Sequence, residues 1–298
     1  MTDKVAAKLI VGMPRAVRSG VVKLRDFVQG RPSARKMMAE VKSIEGLVAT
    51  GKDPLHAAYI RAQNYLSVFS ETSSQLREFK EFTAVVGKAE DNYVPGWPPM
   101  SPVSVSFFTC WALLDQPVGA SGETMCSCAI DIGRAFGMPA DFTHTLEVMG
   151  ESAAGIYQHM GWRDGLVSLR DILDDRVHRC IVPSGYRGTK GELWYIRLLP
   201  PLDESFDYGV VFTSPYVLYK TKEADWFAFF ERQERNLPLL ATTEEKILRR
   251  KAFFKQGPQP YYWLEYVFFA FHDSSESAIE LWGIPDIPGT LPHARLGR

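Results

Sequence analysis

The chain has 298 residues, 46% hydrophobic and 23% charged, which excludes a disordered or fibrous protein and gives enough length to bury a sizeable core. Lys+Arg 34 against Asp+Glu 35 leaves a net charge of -1, so no global field draws nucleic acid or an anionic membrane, and neither is an expected partner. Four cysteines make no disulfide framework and no apolar run approaches the ~20 residues that span a bilayer, so the expectation is a soluble, cytoplasmic protein.

Charge is uneven along the chain. Residues 1–42 carry ten Lys or Arg against Asp3, Asp26 and Glu40, and these charges interrupt every apolar run before a secretory signal could form. A solvated helical face accounts for them. Residues 15–29 set Val17, Val21, Leu24 and Val28 on one helical side, closed by Gly30, and a second pattern runs from Ala34 to Val48. Asp53-Pro54 reads as the N-cap and first residue of a third helix, with Leu55, Ala62 and Leu66 in its buried stripe. A fourth over 72–86 uses Leu76, Phe79, Phe82 and Val86.

The Pro- and Gly-rich segment 87–102 then excludes regular helix and marks a boundary between a helical region, 1–86, and a mixed α+β domain, 103–282. Alternation over Val103–Phe107 predicts a strand. Helices are predicted over 122–136 and 141–160; in the second, Phe142, Leu146, Met149, Ala153, Ile156 and Met160 form an apolar stripe that ends at Gly161. Short strands follow near 166–172, 176–182, 192–199, 208–213 and 216–219. Their close spacing predicts a small antiparallel sheet or barrel packed with helices, rather than βαβ units. Thr221 is read as the cap of one helix, and Thr242-Thr-Glu-Glu245 as the capping box of another. The seven aromatics of 261–271 favour a strand, with a buried helix as the alternative, and the Pro-rich 283–298 reads as an irregular tail.

No complete catalytic constellation stands out. His178 and Cys180 lie two apart in a predicted strand and share a face, and Asp174 or Asp175 completes a Cys-His-Asp set on paper. Nucleophile and base normally come from separate segments, so a partly buried strand face explains the pair more simply. His144, Glu147 and Glu151 share one side of the 141–160 helix, with His159 two turns on; a metal site there would need a second helix to match, and a polar helix face needs nothing. Cys126 and Cys128 form a C-x-C, which on a helix points to two faces and reads as core. His272-Asp273 lacks the further ligands that a metal-dependent phosphohydrolase requires. No metal and no cofactor is therefore expected.

The turn Ser184-Gly-Tyr-Arg-Gly188 lacks the order of a phosphate loop and no helix begins after it, yet it displays Tyr186, Arg187 and Lys190 on a strand frame. These three are the predicted binding residues. Leu169–Leu173, Val182–Tyr186, Gly191–Trp194 and Arg197–Pro200 resemble the small β modules of bacterial proteins, a likeness that covers a small share of the chain and implies no catalytic residue. The expectation is a non-enzymatic binding or scaffold protein with a protein partner or a second copy of itself. A hydrolase using a Cys/His or metal site is the alternative.

Overall fold

A computed structural model describes residues 4–18, 43–94, 102–259, 261–275 and 277–292. The helices predicted over 15–29 and 34–48 fall largely outside these residues. The chain forms two compact units, one from the described residues of 1–88 and 110–151, the other from those of 89–109 and 152–298. The division interleaves the sequence rather than cutting it once.

The first unit is helical. Helix α1 (Val5–Arg18) buries Val5, Ala6 and Leu9. Its first amides donate to one buried carboxylate, Val5 N to Glu123 Oε2 at 2.6 Å and Ala6 N to Glu123 Oε1 at 3.2 Å. A carboxylate suits this place because the first amides of a helix lack intrahelical acceptors and carry its positive end. Helices α2 (Ile44–Ala49) and α3 (Pro54–Ser73) follow, the second capped by Asp53 as its sequence predicts. Leu55, Tyr59, Ala62 and Leu66 of α3 are fully buried. After a 3-10 turn at Arg77–Phe79, α4 (Lys80–Tyr93) starts later than the 72–86 pattern suggests and runs on into the second unit.

Residues 103–107 are helical, not extended. Pro102 opens α5 (Pro102–Cys110), where a missing N–H and a fixed φ suit the first helical position. Phe107 packs on Tyr195 and Tyr216 at 5.7 and 5.5 Å, so a long-range aromatic contact overrides the local alternation. A π-turn (Trp111–Asp115) and a two-strand ribbon of β1 (Pro117–Val118) and β2 (Glu123–Thr124) lead to α6 (Met125–Ala135) and α7 (Ala140–Glu151). The apolar stripe predicted through Met160 belongs to two elements. Helix α7 stops at Glu151, and Ala154–Arg163 is strand β3. Gly150, Ser152 and Gly155 weaken helix across the junction, and strands on both sides of β3 supply the pairing that decides the matter.

The second unit carries an eight-stranded sheet in the order β3-β4-β5-β7-β6-β8-β10-β9. A further β3–β6 pairing closes the first five into a barrel. Strands β4 (Leu166–Asp171), β5 (Val177–Ile181), β6 (Leu193–Leu199), β7 (Gly209–Val211) and β8 (Tyr216–Tyr219) fall where the turn-bounded sequence pattern places them. Strand β6 is buried along its whole length because it serves two layers. Trp194, Ile196 and Leu198 fill the barrel with Tyr157, Val167, Leu169 and Cys180. Tyr195, on the other face, meets Phe254 and Trp263 at 5.9 and 5.4 Å.

The covering helices are α8 (Glu223–Glu234), α9 (Thr243–Gln256) and α10 (Tyr262–Ala270). The Thr242 capping box forms, whereas α8 is entered one residue after Thr221: Asp225 accepts from Lys222 N, and Thr221 Oγ1 accepts instead from Trp226 Nε1. The aromatic run favoured as a strand is the helix α10, with Trp263, Leu264, Tyr266, Val267 and Ala270 buried at helical spacing. Its rings interlock with Trp226, Phe229, Phe253 and Phe254, and each such pair is worth about 0.5–1.5 kcal/mol beyond its area. Only Phe271–Ser274 is extended (β9). It pairs with β10 (Ile279–Trp282), which lies parallel to β8 and was not anticipated from the sequence.

Candidate functional site

The connection from β5 to β6 brings Tyr186, Arg187 and Lys190 onto the barrel and is tightly braced. Glu192 is the centre of the bracing. Its carboxylate accepts from Trp194 Nε1 at 2.9 Å, Tyr186 OH at 3.2 Å and Thr189 Oγ1 at 2.8 Å. The loop also docks on β3 through its backbone, with His159 N donating to Glu192 O and Gly191 N to His159 O, both at 2.8 Å. Arg187 O faces His159 Nε2 at 3.2 Å and accepts from Trp162 Nε1, while the Arg187 guanidinium lies 5.1 Å from the Trp162 ring centre. Gly188 has φ +54, and a Cβ there would sit 2.5 Å from the Trp194 ring, so this position takes no side chain.

His159 is 1% exposed, with its ring 5.0 Å from Trp194. A carbonyl only accepts, so Nε2 carries the proton and Nδ1 is a lone pair, buried without a hydrogen-bond partner. Burial holds its pKa below the ordinary histidine value. Burial and then Glu192 push the Tyr186 phenol upward, so it remains a neutral donor.

Tyr186 also walls a pocket of about 110 Å³ on the open face of β8, β10 and β9. Strand alternation creates this face. Tyr216, Leu218, Ile279 and Leu281 are buried on one side of the sheet; Val217, Tyr219, Glu280 and Trp282 leave from the other. Val217 and Ala278 form the apolar floor, and Glu280 and Asp273 stand at the rim, directly opposite each other in the β10–β9 register. One Asp273 oxygen accepts from Ser274 N at 2.7 Å, and neither carboxylate has an ion-pair partner among the described residues. Beside the pocket, Tyr219 and Trp282 stack at 5.1 Å, and the His272 ring lies 4.0 Å from Trp282. The Lys220 ammonium sits 4.0 Å from the Trp282 ring centre.

The predicted Cys/His pair lies on β5, the strand that leads into this loop. His178 and Cys180 do share a face of β5, pointing into the barrel, but Cys180 is fully buried. Burial pushes its thiol up to about 12, which keeps it protonated and unreactive. His178 rests edge-on against Tyr157 at 6.0 Å, and burial lowers its pKa. Of the carboxylates proposed to complete a triad, Asp174 is held by Lys251 Nζ at 2.6 Å and Asp175 by Arg170 at 2.5 Å. Lys251, from α9, also reaches the buried Asp171 at 3.4 Å. Burial raises the Asp171 pKa against the pull of Leu173 N and Lys251; at Asp174 the Lys251 and Arg176 contacts outweigh burial and lower it.

In the helical unit, Glu147 pairs with Arg134, while His144 and Glu151 are exposed on α7; His159, expected on the same helix, is on β3. No group of three or more His, Cys, Asp or Glu among the described residues is placed to hold a metal. Cys126 and Cys128 are both buried, the first donating to Leu146 O at 3.2 Å and the second facing Glu123. Among the described residues no helix is long and apolar enough to cross a membrane.

No protein-family model matches the chain, and no curated protein or solved structure matches it either. Sequence reasoning found the loop but missed its partners Glu192, His159 and Trp162, and missed the face made by Glu280 and Trp282. The alternation Ile279-Glu280-Leu281 was the available signal, too short to stand out beside a Pro-rich tail.

Proposed function

We propose that this chain is a non-enzymatic binding protein acting through protein–protein contacts, with the 182–192 loop and the adjoining open sheet face as its recognition surface. One observation supports this most: the pocket beneath Tyr186 is about 110 Å³, against roughly 300–1,000 Å³ for sites that enclose small molecules. It suits one side chain of a larger partner. The surroundings agree, because a rigid loop with an exposed Arg187 stacked on Trp162, beside stacked Tyr219 and Trp282, offers the aromatic and arginine contacts that dominate protein interfaces. The hydrolase reading draws less support, since its nucleophile Cys180 is buried and its carboxylates are neutralised by Lys251 and Arg170.

The test is native size measurement with chemical crosslinking, comparing the natural sequence with an Arg187→Glu, Lys190→Glu double variant. The expected result is a stoichiometric complex, with another protein or with a second copy, that the double variant loses. A chain that stays alone, or a complex the variant leaves untouched, overturns the reading.

A further inference from the structure

The open face of β8 and β10 carries two unlike features side by side. One is a small pocket with an apolar floor (Val217, Ala278) and a carboxylate rim (Glu280, Asp273). The other is the Trp282–Tyr219 stack, on which an ammonium already rests, that of Lys220. Like charges directly opposite across an antiparallel pair destabilise a sheet, and Glu280 and Asp273 are so placed with no ion pair to a lysine or arginine among the described residues. Lys220 itself has φ +58, a region most side chains avoid.

An amphipathic cation satisfies the whole pocket: its methylenes cover the floor and its charged head meets the rim. The aromatic stack recognises the same chemistry through the negative faces of its rings. Spacing ties the two together. Glu280 and Trp282 are two residues apart on one face of β10, about 6.6 Å by strand rise, which is also the distance between alternate side chains of an extended peptide.

We propose that this face binds an extended basic segment of a partner protein, one Lys or Arg entering the pocket at Glu280 and Asp273, and a second, two residues away, replacing Lys220 on Trp282. This rests on the protein-binding reading above and names the partner's chemistry. Asp273 also fits a face-on mode better than strand addition at β9, because its own carboxylate already takes the Ser274 amide.

The experiment titrates the full chain with fluorescein-labelled nonapeptides of one serine-rich background, read by anisotropy. They carry a central Arg-Ser-Arg, Gln-Ser-Gln, Glu-Ser-Glu or Arg-Ser-Ser-Arg. Arg-Ser-Arg is expected to bind tightest and to weaken as salt rises. Glu280→Gln should weaken it about tenfold, the worth of one hydrogen-bonded charge pair. Lys220→Asn, a residue that tolerates the same backbone angle, should tighten it by clearing the ring. Equal binding of Arg-Ser-Arg and Gln-Ser-Gln, preference for Glu-Ser-Glu, or indifference to Glu280→Gln overturns the proposal. If that happens while the Arg187→Glu, Lys190→Glu variant still dissolves the native complex, the basic segment is wrong and the protein-binding reading stands; loss of both effects removes both.

Discussion

Two pairs of carboxylates in the barrel unit are alike in charge and treated in opposite ways. Asp171 and Asp174, at the β4–β5 turn, share the ammonium of Lys251, which reaches in from α9. Their remaining oxygens accept from Leu173 N at 2.8 Å and Arg176 N at 3.0 Å, so each carboxylate is satisfied on two sides. Asp273 and Glu280 face each other across β9 and β10 without such a cation among the described residues. The first pair is a staple between helix and barrel. The second is a repulsion left standing on an exposed, aromatic-flanked face, where its relief depends on something from outside. Local charge composition is alike in the two places; what separates scaffold from recognition surface is whether the fold supplies the counter-charge.

Lys251→Met is the most severe way to test that difference. It keeps the methylene packing and leaves Asp171 buried beside Asp174 with no ammonium. The expected loss is about 2–3 kcal/mol, below the range for a fully enclosed pair because the Lys251 side chain is 38% exposed. Urea denaturation measures it. A loss under half a kcal/mol would mean that the staple is decoration and that the two pairs do not differ.

Acid is the second probe. His159 braces the recognition loop with a buried, unpartnered Nδ1, and His178 sits in the barrel; burial lowers both pKa values from 6.5. For a group whose folded pKa is depressed in this way the unfolded chain takes the proton first, so stability falls as pH drops from about 6.5 through the folded values. Glu192 and the Arg187 carbonyl favour the charged His159 ring without reversing its shift. His159→Phe should flatten the stability–pH slope between pH 7 and 5 and leave the shares of His178 and of His56, whose pKa burial lowers to about 4, as denaturation at stepped pH will show. Unchanged slope in the variant would place the sensitivity elsewhere.

How far the sequence carries depends on the range of the interaction involved. The barrel strands were legible from Leu166 to Tyr219 because Gly, Pro and Asp turns bound each short alternating run, and the Thr242 capping box was legible because it is complete within four residues. The loop bearing Tyr186, Arg187 and Lys190 was legible as a loop. Its bracing was not, since Glu192 gains its meaning only when Tyr186, Thr189 and Trp194 converge on it. The segment 152–163 continues an apolar stripe at helical spacing by local pattern, and the strand is chosen instead through pairing with β6, some forty residues on. Likewise Val103–Phe107 alternates, but becomes helical where Phe107 meets Tyr195 and Tyr216. Cross-strand neighbours such as Glu280 and Asp273 are a property of register, and register is absent from a one-dimensional reading of either strand.

The smallest expected effect has the opposite sign and is the most discriminating. Glu280→Gln removes one of two like charges facing across the β10–β9 pair, with no ion pair to lose among the described residues. It should raise stability by a few tenths of a kcal/mol, the scale of a cross-strand pair, where Lys251→Met lowers it. Thermal unfolding of both variants beside the natural sequence resolves the signs, and the gain should shrink as salt screens the repulsion. A residue whose removal stabilises the fold is retained for another reason, and stability given up at a binding surface is the common one. Should Glu280→Gln instead destabilise by as much as Lys251→Met, Glu280 is holding the sheet together, and the contrast between the two carboxylate pairs disappears with it.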